Sequence, residues 1–385
     1  MSRHAVIAPR IFDGERWHDD AALLVDGGEV AAILPRGAIP AGTGLTNLGD
    51  GFIAPGFVDL QVNGGAGLML NDRRDAQAIR AICAAHARFG TTALLATLIT
   101  DTPDVTAQAV AAGAEAARLE VPGFLGLHLE GPHLSAARRG AHDPALIRPM
   151  QPADLSALLA ARQRLAVLLT TVAAESVTAA QVAALAEAGI VVSLGHTDTS
   201  RSAALALADA GATMATHLFN AMSQLGNREP GLVGAALNDG RLWAGLIADG
   251  IHVDPASVAV ALRAKQGPGR IFLVTDAMAT IGSDLTEFTL NGRTIRRHGG
   301  RLTLADGTLA GADLDMTGAV RFMHRAIGLD LGEALRMASL YPAQAVRVDD
   351  RHGRLAAGTR ADFIHLDDEL GVRATWIGGA EVYRA

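Results

Sequence analysis

Apolar runs bounded by turn residues recur through the middle of the chain at Phe57–Gln61, Thr92–Leu98, Gly123–Glu130, Leu165–Val172, Ile190–His196, Thr213–Leu218, Leu242–Asp249 and Ile271–Asp276. They are continuous rather than alternating, as strands covered on both faces should be. Most of the intervals hold Ala/Leu-rich segments with helical spacing, such as RDAQAIRAICAAHARFG, TAAQVAALAEAG and SRSAALALADAG. Several end in Gly just before the next run, where a helix C-terminus belongs. Eight alternating strand and helix units predict an α/β chain with a (β/α)8, TIM-like barrel. A doubly wound open sheet of similar count is the alternative.

The two ends follow another rhythm. HAVIA and AALLVDGGEVAAIL near the start, and GRLAAGTRADFIHLD and ATWIGGAEVYRA near the finish, are short β-like runs broken by Asp-Gly, Gly-Gly and Pro-Arg-Gly turn signals. The expected division is a small β domain from residues 1–52 and 346–385, around a barrel of residues 53–345.

Composition narrows the function classes. Hydrophobic residues make up 49% of the 385, enough for a sizeable core, and the formal net charge of −7 gives no support to general nucleic-acid binding. A local positive pocket for a small anion is compatible with that balance. The single cysteine, Cys83, excludes an internal disulfide framework and a thiolate-rich metal site, and its Ala-rich surroundings suit a buried packing role. Lys265 is the only lysine, and there is no G-x-x-x-x-G-K-[ST] loop. The N-terminal stretch lacks an apolar core long enough for a signal peptide and no run reads as a membrane span, so the expected location is the cytoplasm.

Barrel enzymes carry their chemistry at the C-terminal ends of the strands. There this sequence has Asp59 and Gln61 on the first run, His128 and Glu130 on the third, and His196 and His217 on the fifth and sixth. Asp249 and His252 follow the seventh, and Asp276 ends the eighth. A lone histidine after a strand is usually structural. Polar groups at the same end of four or more strands make a common site the better account. One carboxylate and two imidazoles suit a catalytic divalent ion with an open position for water. Asp276 is then free to act as general base and later acid.

LHLEGPHL, RGAHDP, SLGHT, THLFNAM, ADGIHV and LVTDAM, with APGFVDLQVNG before them and TLAGADLDM after, stand in an order and spacing that resemble the N-acetylglucosamine-6-phosphate deacetylases of the amidohydrolase superfamily. The resemblance spans essentially the whole chain. It implies the barrel with a small β-sandwich domain built from both chain ends, and hydrolysis of the acetamide of N-acetyl-D-glucosamine 6-phosphate to glucosamine 6-phosphate and acetate. Carried over by position, Glu130, His196 and His217 match metal ligands and Asp276 the catalytic acid/base. His142 and His252 match substrate histidines, and Asn220 and Ala221 the turn that receives the phosphate. Arg228 matches an arginine reaching the phosphate from a neighbouring subunit, so the resemblance implies a homodimer. Two departures from the family pattern fall outside this set: Ala173-Ala174 before Glu175, for which a structural or ligand-orienting role is expected, and Ala312-Asp313 on the acetyl side.

DLQVNGG places Gln61 and Asn63 where two-metal relatives carry His-x-His. Neutral amides are poor ligands for a second ion, so one divalent ion per subunit is expected, zinc first, with iron, cobalt or manganese also suited to the donor set. Gln61 and Asn63 then lie outside the metal's direct ligands, Gln61 orienting water and Asn63 giving support. Two other classes compete. A related amidohydrolase acting on another N-acyl amino sugar or a cyclic amide would not need Asn220 and Arg228, and a noncatalytic barrel would be expected to have lost part of the ligand set.

Overall fold

The structure is a computed structural model describing residues 3–385. Eight parallel strands follow one another around a single sheet in chain order: Phe57–Val62, Thr91–Ile99, Phe124–Glu130, Val167–Val172, Val191–Leu194, Met214–Ala215, Trp243–Ile247 and Ile271–Val274. Sequential order without reversal is the barrel's topology and excludes the doubly wound sheet. All nine residues of the second strand are buried, which explains its unbroken apolar run.

Side-chain caps set several helix starts. Asp75 accepts from the Ala78 amide, Thr102 from Val105, Ser200 from Ala203 and Asp254 from Ala256. The helix Pro103–Arg118 turns Ala109, Ala112, Gly113 and Ala116 inward. A Cβ on Gly113 would lie 2.8 Å from the Leu127 side chain, so the small residues let this helix lie close on the third strand.

The first and eighth strands meet through few backbone bonds. The Asp276 amide donates to Gln61 O at 3.0 Å and the Asn63 amide to Ala277 O at 2.9 Å. One step below, a side chain takes the place of backbone. The Thr275 amide donates to Asp59 Oδ1 at 3.3 Å and its hydroxyl to Asp59 Oδ2 at 2.5 Å.

Strands from both chain ends share a six-stranded sheet, in which Phe52–Pro55 pairs with Phe363–Leu366 on one side and Arg10–Phe12 on the other. With a four-stranded N-terminal sheet it encloses a second core of Val6, Ile11, Leu23, Ile53, Phe363 and Trp376. The Phe363 and Trp376 rings stack with centroids 4.6 Å apart. Cys83 is buried in the barrel core, and burial pushes its thiol up to about 12, so it packs as a small apolar side chain.

The strand pattern did not anticipate four further strands after the eighth: Glu287–Leu290, Arg293–His298, Arg301–Thr303 and Leu309–Ala312. They form an antiparallel meander over a small core of Met69, Ile99, Met278, Leu290, Ile295 and Leu302. Among the described residues, no helix is long and apolar enough to cross a membrane.

Candidate metal and active site

Parallel register carries Glu130 to the end of the third strand, beside Ile99 and Thr171 of its neighbours. His196 and His217 follow the fifth and sixth strands. Their reactive atoms converge: Glu130 Oε1 lies 3.2 Å from His196 Nε2 and 3.1 Å from His217 Nε2, and the two Nε2 atoms are 3.1 Å apart. All three residues are buried.

Proton bookkeeping fixes what this triangle offers. His196 Nδ1 lies 2.8 Å from Arg138 O, which accepts only, so Nδ1 carries the proton and Nε2 presents a lone pair. His217 Nδ1 is buried without a hydrogen-bond partner, leaving its Nε2 as the directed contact. A carboxylate and imidazole lone pairs this close repel one another unless a cation or proton lies between them. An ion ~2.0–2.1 Å from each atom would subtend about 100° between ligands, near tetrahedral, with one face open. The site therefore fits a divalent ion. The same physics governs the protons. Burial disfavours the His217 imidazolium, yet the bond and charge of Glu130 outweigh it and raise its pKa, while both imidazoles hold the buried Glu130 carboxyl well below its ordinary range.

His142 also lies within reach, since Glu130, His142 and His196 offer ligand atoms within 4.8 Å of one another. Its tautomer argues against ligation. His142 Nδ1 lies 2.8 Å from the Thr100 hydroxyl, which can donate or accept, and 3.3 Å from the Thr100 amide, which can only donate; the amide decides for a lone pair on Nδ1, so the proton of the neutral ring sits on Nε2. Burial, then the neighbouring His196, lowers this imidazole to about 3, keeping it neutral. His142 is thus a hydrogen-bond donor facing the triangle, with Nε2 3.9 Å from Glu130 Oε2.

Asp276 lies two residues beyond the eighth strand, with φ +50°. Its Oδ1 accepts from Asn63 Nδ2 at 2.7 Å and from Gln61 Nε2 at 3.1 Å, and Gln61 Nε2 also reaches Glu130 Oε1 at 3.1 Å. Burial and the charge of Glu130 raise Asp276 to about 6, against the opposing pull of His217 and Asn63. A carboxyl poised there exchanges protons near neutral pH. Gln61 and Asn63 are accordingly turned on the carboxylate of Asp276, with Asn63 the shorter contact.

His196, His217, Phe219, Ala221 and Asp276 all have positive φ without being glycine. Each costs of order 1–3 kcal/mol and persists only where its surroundings enforce it. The enforcement is visible around His196. Glu175 accepts from the Thr197 hydroxyl and from the Asp198 amide at 2.7 Å, and the Thr197 amide donates to Ala221 O. Glu175 thereby ties the turn after His196 to the segment that follows the fourth strand, and Thr197 joins the same turn to the Phe219–Met222 turn.

A cavity of about 250 Å³ joins these groups. Asn63, Glu130, His142, His196, His217, Asn220, Ala221, His252 and Asp276 line it, with Ile99, Met278, Leu290 and Leu309 as its apolar wall. The last two belong to the unanticipated meander. His252 is held by Asp249, whose Oδ2 lies 2.6 Å from Nδ1. Asn220 Nδ2 makes only long bonds, 3.3 and 3.4 Å, to carbonyls of its own turn. Arg228 is exposed on the loop beyond Met222 and does not line the cavity of its own chain. Lys265 also lies away from it, donating to the carbonyls of Gln266 and Asp239. A somewhat larger cavity, about 310 Å³, lies between the helices Pro103–Arg118 and Pro152–Arg162, and none of the sequence-predicted residues reaches it.

The family model for the amidohydrolase family matches residues 52–382. The chain belongs to the amidohydrolase family. Among curated relatives, the N-acetylgalactosamine-6-phosphate deacetylase of Shewanella sp. (strain ANA-3) is 44% identical, over 88% of this chain and 85% of the relative. That of Escherichia coli O157:H7 is 37% identical over 98% of both chains. A solved structure, N-acetylglucosamine-6-phosphate deacetylase from Pasteurella multocida, superposes on this amidohydrolase with a TM-score of 0.95, at 32% identity and with full coverage of both chains.

Proposed function

We propose that this chain hydrolyses the acetamide of N-acetyl-D-glucosamine 6-phosphate to D-glucosamine 6-phosphate and acetate. The observation that carries this reading is the triangle of Glu130, His196 and His217 with the separately held Asp276 carboxyl beside it, in one cavity with the Asn220–Ala221 turn. Glu130, His196 and His217 would hold one divalent ion per subunit, zinc in the first instance. Bound there, such an ion supplies Lewis acidity and eases deprotonation of water.

The chain's own groups do the rest. Asp276 takes a proton from the attacking water as its oxygen bonds to the acetamide carbon, while His142 Nε2–H donates to the oxygen that gains charge. The C–N bond then breaks as Asp276 returns the proton to nitrogen, so the water's OH ends on the acyl group and its H on the amine. Gln61 and Asn63 keep the Asp276 carboxylate aimed through both events. The loosely bonded Asn220 amide and the turn at Ala221 receive the phosphate, and His252, oriented by Asp249, contacts the sugar. Exposed Arg228 fits a role across a homodimer interface, completing the phosphate site of the partner. The location in keeping with this activity is the cytoplasm.

A second reading has specific support. Both curated relatives above act, by name, on the galacto epimer, which makes N-acetylgalactosamine 6-phosphate the competing substrate. Acetate release from the two epimers and from unphosphorylated N-acetylglucosamine, with metal analysis of the same preparation, tests both readings. The expected result is a higher kcat/KM for the gluco 6-phosphate and a large loss without phosphate. A higher value for the galacto epimer reverses the assignment at C4. Asp276→Asn is expected to retain metal and lose most turnover, and a near wild-type rate removes Asp276 from its role.

A further inference from the structure

The seam between the first and eighth strands carries a buried carboxylate that the mechanism does not use. Asp59 is 0% exposed and does not line the cavity, yet three donors converge on it. They are the Thr275 hydroxyl at 2.5 Å, the Thr275 amide at 3.3 Å and the Gln61 amide at 3.2 Å. Burial raises the Asp59 carboxyl to about 7, and the three donors oppose that rise by favouring the ionised form; in either protonation state the carboxyl accepts from the Thr275 hydroxyl.

Its position gives it leverage. Elsewhere in the barrel, each pair of neighbouring strands shares a ladder of two or more paired residues. Here the isolated bridge Val62–Ala277 and three bonds, from the Asp276 amide to Gln61 O and from the Asn63 and Gly64 amides to Ala277 O, join the backbones. Asp59 supplies the next attachment below. Both residues it grips adjoin or belong to the acid/base assembly: Gln61 donates to Asp276 Oδ1, and Thr275 immediately precedes Asp276, whose left-handed φ of +50° needs enforcement from its surroundings.

We infer that Asp59, acting through the Thr275 hydroxyl, is a positioning residue for the reaction: it locks the barrel seam so that Asp276 and Gln61 keep their mutual geometry. The inference rests on the proposed role of Asp276 as acid and base. It separates Asp59 from residues that merely fill the barrel, because the seam bonds are directional and a change in them moves a reacting group without touching substrate. A displacement of about 1 Å in such a group costs on the order of 100-fold in rate.

The test uses the full chain with its metal and four variants: Thr275→Ser, Thr275→Val, Asp59→Asn, and the double variant Asp59→Asn/Thr275→Val. Thr275→Ser keeps the hydroxyl and is expected to retain kcat within about twofold, whereas Thr275→Val loses about 10- to 100-fold in kcat with KM within about twofold. The double variant is expected to lose no more than the worse single variant, because both act through one bond. Metal content and circular dichroism accompany each measurement. Thr275→Val is near-isosteric, so it keeps the test alive if Asp59→Asn fails to fold. Equal losses in Thr275→Ser and Thr275→Val, additive losses in the double variant, or a loss expressed in KM would overturn the inference. Failure of the Asp276 role itself shows separately, as an active Asp276→Asn variant.

Discussion

Removing the Asn63 amide should shift the pH dependence of the reaction rather than its ceiling. Asn63 Nδ2 makes the shortest bond to Asp276, 2.7 Å to Oδ1, and that bond favours the ionised form. A hydrogen bond to a charged group is worth about 1.5–3 kcal/mol, and one pKa unit is about 1.4 kcal/mol, so Asn63→Ala should raise Asp276 by about 1–2 units. Starting from about 6, the carboxyl then titrates above neutrality. As base, Asp276 must be ionised, so the acid limb of kcat/KM moves to higher pH. At pH of about 6 the variant should be about 5- to 50-fold slower than the parent, and the deficit should close above a pH of about 8.5. Gln61, still 3.1 Å from the same oxygen, favours the lower end of that range. The assay is acetate release at low substrate across the pH range. A deficit constant at every pH would refute the reasoning, because it would mean that Asn63 acts on geometry and not on the proton affinity of Asp276.

Three further outcomes are expected. Chelation of divalent ions should abolish acetate release and lower the Tm, and readdition should restore both, since an ion bound only by the folded site stabilises it by mass action; a Tm indifferent to chelator contradicts the triangle as an ion site. Phe363→Ala, which empties a fully buried site stacked on Trp376, should cost about 3–5 kcal/mol in denaturant unfolding, and a loss below about 1 kcal/mol would mean the second core is not packed as described. Burial raises Asp249, but His252 and two backbone amides outweigh it and hold its pKa below 3.8, so its contribution to stability is present above that value and is lost as pH falls through the lower folded value. In His252→Phe the same buried carboxyl loses its partner and takes up a proton earlier, so acid unfolding should begin at higher pH than in the parent; unchanged Tm-against-pH curves would remove that pair from the stability of the site.

The barrel was legible because its strands are buried on both faces and so appear as unbroken apolar runs between Gly-terminated helices. The sixth strand, Met214–Ala215, is only two residues long and was visible by its place in the rhythm more than by its own pattern. Strand ends also located the polar constellation. What stayed hidden depends on contacts distant in sequence. The tautomers that separate His196 as a lone-pair donor from His142 as an N–H donor are set by Arg138 O and the Thr100 amide. The aim of Gln61 and Asn63 at Asp276 exists only once the first and eighth strands meet. The four-stranded meander was a different case. Asn291-Gly292, Gly299-Gly300 and Asp306-Gly307 are evenly spaced hairpin signals, and attention to apolar runs passed over strands as polar as Arg293–His298.

That meander is one contiguous stretch of chain, inserted between the last barrel strand and the helix that starts at Met316. Its Leu290 and Leu309 form part of the cavity wall, while Glu130, His196, His217 and Asp276 all come from the barrel. Part of the cavity's apolar wall is therefore carried by a stretch of chain separate from the one that carries its reactive groups. The segment is anchored by Arg293 to Ala141 O and by Arg297 to Asp313, so a substitution at Leu290 or Leu309 would reshape one wall of the cavity while leaving Glu130, His196, His217 and Asp276 in place.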